Sequence, residues 1–126
     1  MRAAAERVIV RQTLVTNVSG LTLVVLRCAD LQRSRTFYEA LGFTLRPEQH
    51  GSGPRHYSTR VNETVLEFYP DASGATRGLR LGLQLVDVAA AISGLREIGV
   101  LPRPGSPLTV DDPDGHRLEL HSGSAA

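Results

Sequence analysis

The 126-residue sequence predicts an α+β fold made of two tandem β-α-β-β-β modules. A strand followed by a capped helix occurs twice, and the distance from capping aspartate to terminating glycine is 12 residues in both copies, Asp30 to Gly42 and Asp87 to Gly99. Both copies end on a strand of one pattern, VLEFY in the first and RLELH in the second. A period of this length, repeated with the same punctuation, marks a duplicated structural unit.

In the first module the apolar run LTLVVLR, Leu21 to Arg27, reads as a strand. Asp30 offers a carboxylate to the first turn of the helix that follows. Leu31, Ser34, Phe37, Tyr38 and Leu41 share one face at three- and four-residue spacing, and Gly42 supplies a left-handed exit. A strand near Phe43 to Pro47, the loop HGSGPR and a hairpin turned at Asn62-Glu63 complete the module. The second module repeats the order. LRLGLQLV is a strand, and Asp87 caps a helix that turns Val88, Ala91, Ile92, Leu95 and Ile98 inward. Val100 to Arg103, a Pro/Gly loop and a hairpin turned by Asp-Pro-Asp-Gly follow. Residues 1–19 read as an N-terminal extension that fits either an extra strand or a helix, and the domain is expected over 20–126, with modules near 20–70 and 79–122.

Composition excludes several function classes. The 14 basic residues, all arginine, balance 13 acidic ones to a net charge of +1, and no basic run or aromatic patch suits nucleic acid. Cys28 is the sole cysteine, which excludes an internal disulfide and a cysteine-based metal knuckle. No apolar run approaches the roughly 20 residues of a membrane span, and the N-terminal segment lacks the apolar core of a secretory signal. A cytoplasmic protein without nucleic-acid or membrane partners is expected.

The duplicated D…LGF and D…IGV modules, the Glu on each closing strand and the DPDG turn resemble the vicinal oxygen chelate superfamily, the glyoxalase, bleomycin-resistance and extradiol-dioxygenase group. The resemblance covers about Leu21 to Ser122. It implies a cupped, mixed, eight-stranded sheet with the helices outside and a ligand in the cup. Metal-dependent members place a ligand, commonly His, on each module's first strand and a Glu on each last strand. Carried over by position, the carboxylates are Glu67 and Glu119, whereas the histidine positions fall on Leu23 and Leu81. Leucine has no lone pair, so the resemblance implies a degenerate centre with no metal ligand set and no cofactor.

Pairing across the Asn62-Glu63 turn sets Ser58 opposite Glu67 and His56 opposite Tyr69. His56, Ser58, Arg60, Glu67 and Tyr69 then share one face, and Tyr57, Val61, Leu66 and Phe68 the other. On the last strand Arg117, Glu119 and His121 face away from Leu118 and Leu120. The candidate ligand-binding residues are therefore His56, Ser58, Arg60, Tyr69, Leu23, Leu81, Arg117 and His121. Glu67 and Glu119 are the candidate catalytic groups, as general bases with a raised pKa beside the leucines. The same carboxylates equally suit plain ion pairs with Arg60 and Arg117, or a rearranged metal set with His56 and His121. His116 reads as a solvated turn residue and His50 as part of a long connection.

Two function classes follow. One is a metal-free protein, similar to the bleomycin-resistance branch, that binds a small organic molecule in the sheet cavity. The other is a lyase, isomerase or dioxygenase-type enzyme using a rearranged metal site or a carboxylate base. Apolar edge strands in need of cover favour a homodimer.

Overall fold

The computed structural model describes residues 17–123; the N-terminal extension, with its strand-or-helix expectation, lies almost wholly outside them. The first module comprises β1 (Leu23–Cys28), α1 (Leu31–Leu41), β2 (Arg46–Glu48), β3 (His56–Val61) and β4 (Thr64–Pro70). The second comprises β5 (Arg80–Leu85), α2 (Val88–Glu97), β6 (Leu108–Asp111) and β7 (Arg117–Ser122).

Both helices form where local chemistry directs them. Asp30 accepts the Arg33 N–H at 3.1 Å and Asp87 accepts the Ala90 N–H at 3.0 Å, each filling an otherwise orphaned donor of the first turn. Both helices end in the same way. Phe43 N–H reaches Tyr38 O at 3.0 Å and Val100 N–H reaches Leu95 O at 2.9 Å. The intervening Gly42 and Gly99 hold φ of 130° and 80°, a region that a side chain would strain.

The strands form two sheets, one of four strands in the order β1-β4-β3-β2 and one of three in the order β5-β7-β6. Each module opens and closes on a parallel pair, β1 with β4 and β5 with β7, in matching register: Val25 lies opposite Glu67 and Gly82 opposite Glu119. Among the described residues, seven strands replace the expected eight. The segment around Val100 to Arg103 contributes only the isolated bridge Arg103 to Thr109, because Pro102 and Pro104 on either side lack the N–H groups a ladder needs.

The apolar faces of both sheets and the inner faces of both helices make one core. Leu26, Phe37, Tyr38, Leu41 and Phe68 fill it from the first module, and Leu95, Val110, Leu118 and Leu120 from the second. The helices lie so close that a Cβ on Gly94 would sit 2.1 Å from the Ala40 carbonyl oxygen. Across this seam the DPDG turn clasps the first module. Asp112 takes the Tyr38 hydroxyl at 2.5 Å on one oxygen and the Asp114 and His116 N–H groups, both at 2.9 Å, on the other. Asp114 accepts the Ala29 N–H at 3.2 Å. Burial, then the Asp112 charge, pushes the Tyr38 hydroxyl far above its ordinary pKa. His116, expected in solvent, is 1% exposed, and its Nδ1 accepts the Leu79 N–H at 3.0 Å. A turn that a sequence reading assigns to the surface thus fastens the two halves together.

Candidate functional site

The polar face of the four-stranded sheet gathers most of the expected site. The register sets Ser58 opposite Glu67 and Arg46, and Glu48 opposite His56, so these side chains all leave the sheet on one side. The Tyr69 ring stacks on His56 with centroids 4.1 Å apart and planes inclined 10°. Glu67 Oε2 lies 3.8 Å from His56 Nε2, and Glu48 Oε1 lies 3.3 Å from the same nitrogen. His50, from the loop after β2, brings its Nε2 to 3.7 Å from Glu48 Oε1. Arg60 is exposed at the far end of β3, and Leu23 is exposed on β1 at the sheet edge.

The second sheet is arranged differently. Arg80 Nη2 donates to Glu119 Oε2, and His121 Nε2 lies 3.3 Å from Glu119 Oε1. Arg80 first, then His121, holds the Glu119 carboxyl below its ordinary value, the reverse of the raised pKa a base beside leucines would have. Arg117 pairs with Asp111 at 3.4 Å rather than with Glu119, and Arg103 reaches the same aspartate at 2.9 Å. Leu81 packs against the hydrophobic core alongside Leu118, on the opposite face of its sheet from Glu119.

Arg80 was hidden by a one-residue offset. Leu23 precedes Asp30 by seven residues, and seven residues before Asp87 is Arg80, one position ahead of Leu81. Register confirms the equivalence, since Leu23 pairs with Val65 and Arg80 with Arg117, each two residues before the module's Glu. Glu48 and His50 were also missed. Glu-x-His ahead of His56 is a usable signal only once β2 is known to pair with β3.

One cleft, of about 960 Å³, opens where the two sheets part. Phe43, Thr59, Arg60, Asn62, Gly82 and Gln84 are among its lining residues, and the ends of both helices border it. Its wall is apolar and polar in comparable measure, with Phe43 as its aromatic member. Of the expected ligand-binding residues, Arg60 alone lines it.

The family model for the glyoxalase/bleomycin resistance protein/dioxygenase superfamily matches residues 20–120. The chain belongs to this superfamily. Solved structures agree on the fold. A glyoxalase/dioxygenase from Nostoc punctiforme matches with TM-score 0.69 and 19% identity, over 91% of this chain and 99% of that one. The fosfomycin resistance protein FosX from Mesorhizobium loti gives TM-score 0.63 and 21% identity, over 86% and 94%. TnmS3, an antibiotic-binding protein from Streptomyces sp. CB03234, gives TM-score 0.58 and 26% identity, over 86% and 99%. No curated protein matches the chain significantly.

The residues present do not fit the metal centre that this superfamily implies, with ligands from both modules. On the second module the first-strand position is an arginine that already occupies Glu119, and on the first it is Leu23. A guanidinium is a permanent cation and takes the place of a metal at that carboxylate.

Proposed function

We propose that this superfamily member binds a small organic molecule in the cleft between its two modules. The observation that carries the reading is the cleft itself, a half-open groove of about 960 Å³ lined by residues of both modules. Arg60 at its lining offers a donor for an oxygen or anionic group, while Phe43 offers an aromatic surface. The antibiotic-binding relative at 26% identity supports the same class of ligand. Leu21 and Leu23 at the β1 edge and Val86 after β5 are exposed, which supports a homodimer that covers them. No helix among the described residues is long and apolar enough to cross a membrane.

Calorimetric titration with bleomycin, doxorubicin and tetracycline tests the proposal. Gly82 is the residue to alter, because it lines the cleft and an added Cβ meets only the His121 ring, at an ordinary contact distance of 3.9 Å. Saturable binding of at least one probe, abolished by Gly82→Val with the fold intact, is expected. Absence of binding by all three, or binding indifferent to Gly82→Val, contradicts the proposal. Sedimentation at tens of micromolar tests the dimer against the 13.6 kDa chain.

A further inference from the structure

Glu48, His50, His56 and Glu67 come from one module, and one ligand atom from each lies within 4.8 Å of all the others. The hairpin register alone puts three of them on one face, and the loop after β2 carries His50 over them. Glu67 is the only member that coincides with a position of the two-module centre.

His56 determines what this group can do. Its Nδ1 lies 3.2 Å from the Pro54 carbonyl oxygen. A carbonyl only accepts, so Nδ1 carries a proton, and Nε2 is the ring nitrogen left to face the carboxylates. That nitrogen is buried in a side chain only 1% exposed and has no hydrogen-bond partner among the described residues. The approach of Glu48 at 3.3 Å is within ion-pair reach, yet it does not form a hydrogen bond. A ring nitrogen facing two carboxylate oxygens is satisfied by a cation placed between them. The tautomer is fixed by a backbone carbonyl and the ring plane by Tyr69, which is how proteins orient an imidazole that ligates metal.

We propose that Glu48, His50, His56 and Glu67 bind one divalent transition-metal ion within the first module. Two imidazoles and two carboxylates suit a borderline ion such as Zn²⁺, Co²⁺ or Ni²⁺, whereas Mg²⁺ and Ca²⁺ prefer oxygen ligands alone. The His50 side chain is 70% exposed, so the ion has a path from solvent and one ligand free to close behind it. The inference stands apart from the ligand reading, since none of the four residues lines the cleft between the modules.

The test uses the full chain, purified without a histidine tag, stripped with EDTA and dialysed. Zn²⁺ titrated by calorimetry is expected to bind at one ion per chain, and Co²⁺ to give the visible absorption of a four-coordinate site. His56 is buried, so the diagnostic variants are the more accessible Glu48→Gln and His50→Ala, each checked by circular dichroism. Each is expected to weaken Zn²⁺ binding by about tenfold or more. Glu119→Gln and His121→Ala are expected to leave it unchanged. No saturable uptake below about 100 µM Zn²⁺ overturns the proposal, and leaves the cluster a network of polar contacts without a metal. Uptake equally strong in Glu48→Gln and His50→Ala overturns it as well.

Discussion

Arg80 and Glu119 face each other across β5 and β7, two residues out of direct register, and their ion pair stands where the superfamily's second-module metal ligands would meet. The pair makes Glu119 a poor base, since its carboxyl is held ionised. Replacing Arg80 with leucine is expected to raise the Glu119 pKa toward the ordinary carboxylate range, measured by carbon-detected NMR titration of the side chain. Because the folded-state value is depressed, the pair supports the fold above the unfolded pKa, and that support is lost as pH falls through the folded one. The arginine is largely in solvent, so the change in midpoint of unfolding is expected to be small.

The Asp112 clasp predicts a much larger effect. Removing that carboxylate strands a buried tyrosine hydroxyl and two backbone N–H groups at once. Asp112→Ala is expected to cost about 3 kcal/mol in urea unfolding, and Tyr38→Phe less, because Asp112 keeps its two N–H donors. Equal costs for the two variants would contradict the assignment of Asp112 as the hub.

Helix packing is tested at Gly94. Alanine is ordinarily worth about 1 kcal/mol over glycine inside a helix. Here its Cβ would collide with the Ala40 carbonyl oxygen, so α1 and α2 must separate. Gly94→Ala is expected to destabilise by about 2 kcal/mol net. Gly20→Ala, with nothing within 4 Å of the added atom, serves as the control and is expected to be near neutral.

The Cys28 thiol is pushed up to about 11 from its ordinary 9.0, chiefly by burial, with the charges of Asp114 and Asp112 adding to it. A group whose folded pKa is raised supports the fold fully below its unfolded value, and loses that support as pH rises through the folded one. Stability is therefore expected to fall between about pH 9 and 11. Cys28→Ala is expected to flatten the first part of that decline, leaving the Tyr38 contribution at higher pH. Alkylation of native protein by iodoacetamide at pH 8 is expected to be far slower than in urea.

What was legible in the sequence was local. Asp30, Gly42, Asp87 and Gly99 punctuate the helices through contacts within a few residues, so spacing alone locates them. The Asn62-Glu63 turn is short enough to fix the pairing of Ser58 with Glu67, and Asn62 adopts the left-handed φ of 52° that such a turn needs. The rest depends on contacts between distant segments. Burial of His116 follows from the DPDG turn folding onto Ala29 and Tyr38, which no local pattern announces. His50 reaches Glu48 and His56 through a loop whose path is set by the sheet beneath it. The eighth strand fails where local chemistry opposes the repeat: Pro102 and Pro104 lack the N–H groups that the symmetry of the two modules would pair.

The central claim, an organic ligand in the cleft between the modules, is tested most directly by amide chemical-shift mapping with doxorubicin titrated into uniformly labelled protein. Saturable shifts are expected at Thr59 to Asn62 and Gly82 to Val86, the two strand segments that line the cleft, and are expected to vanish in Gly82→Val. Saturable shifts confined to other surfaces, or none with this probe and none with bleomycin or tetracycline, would contradict it.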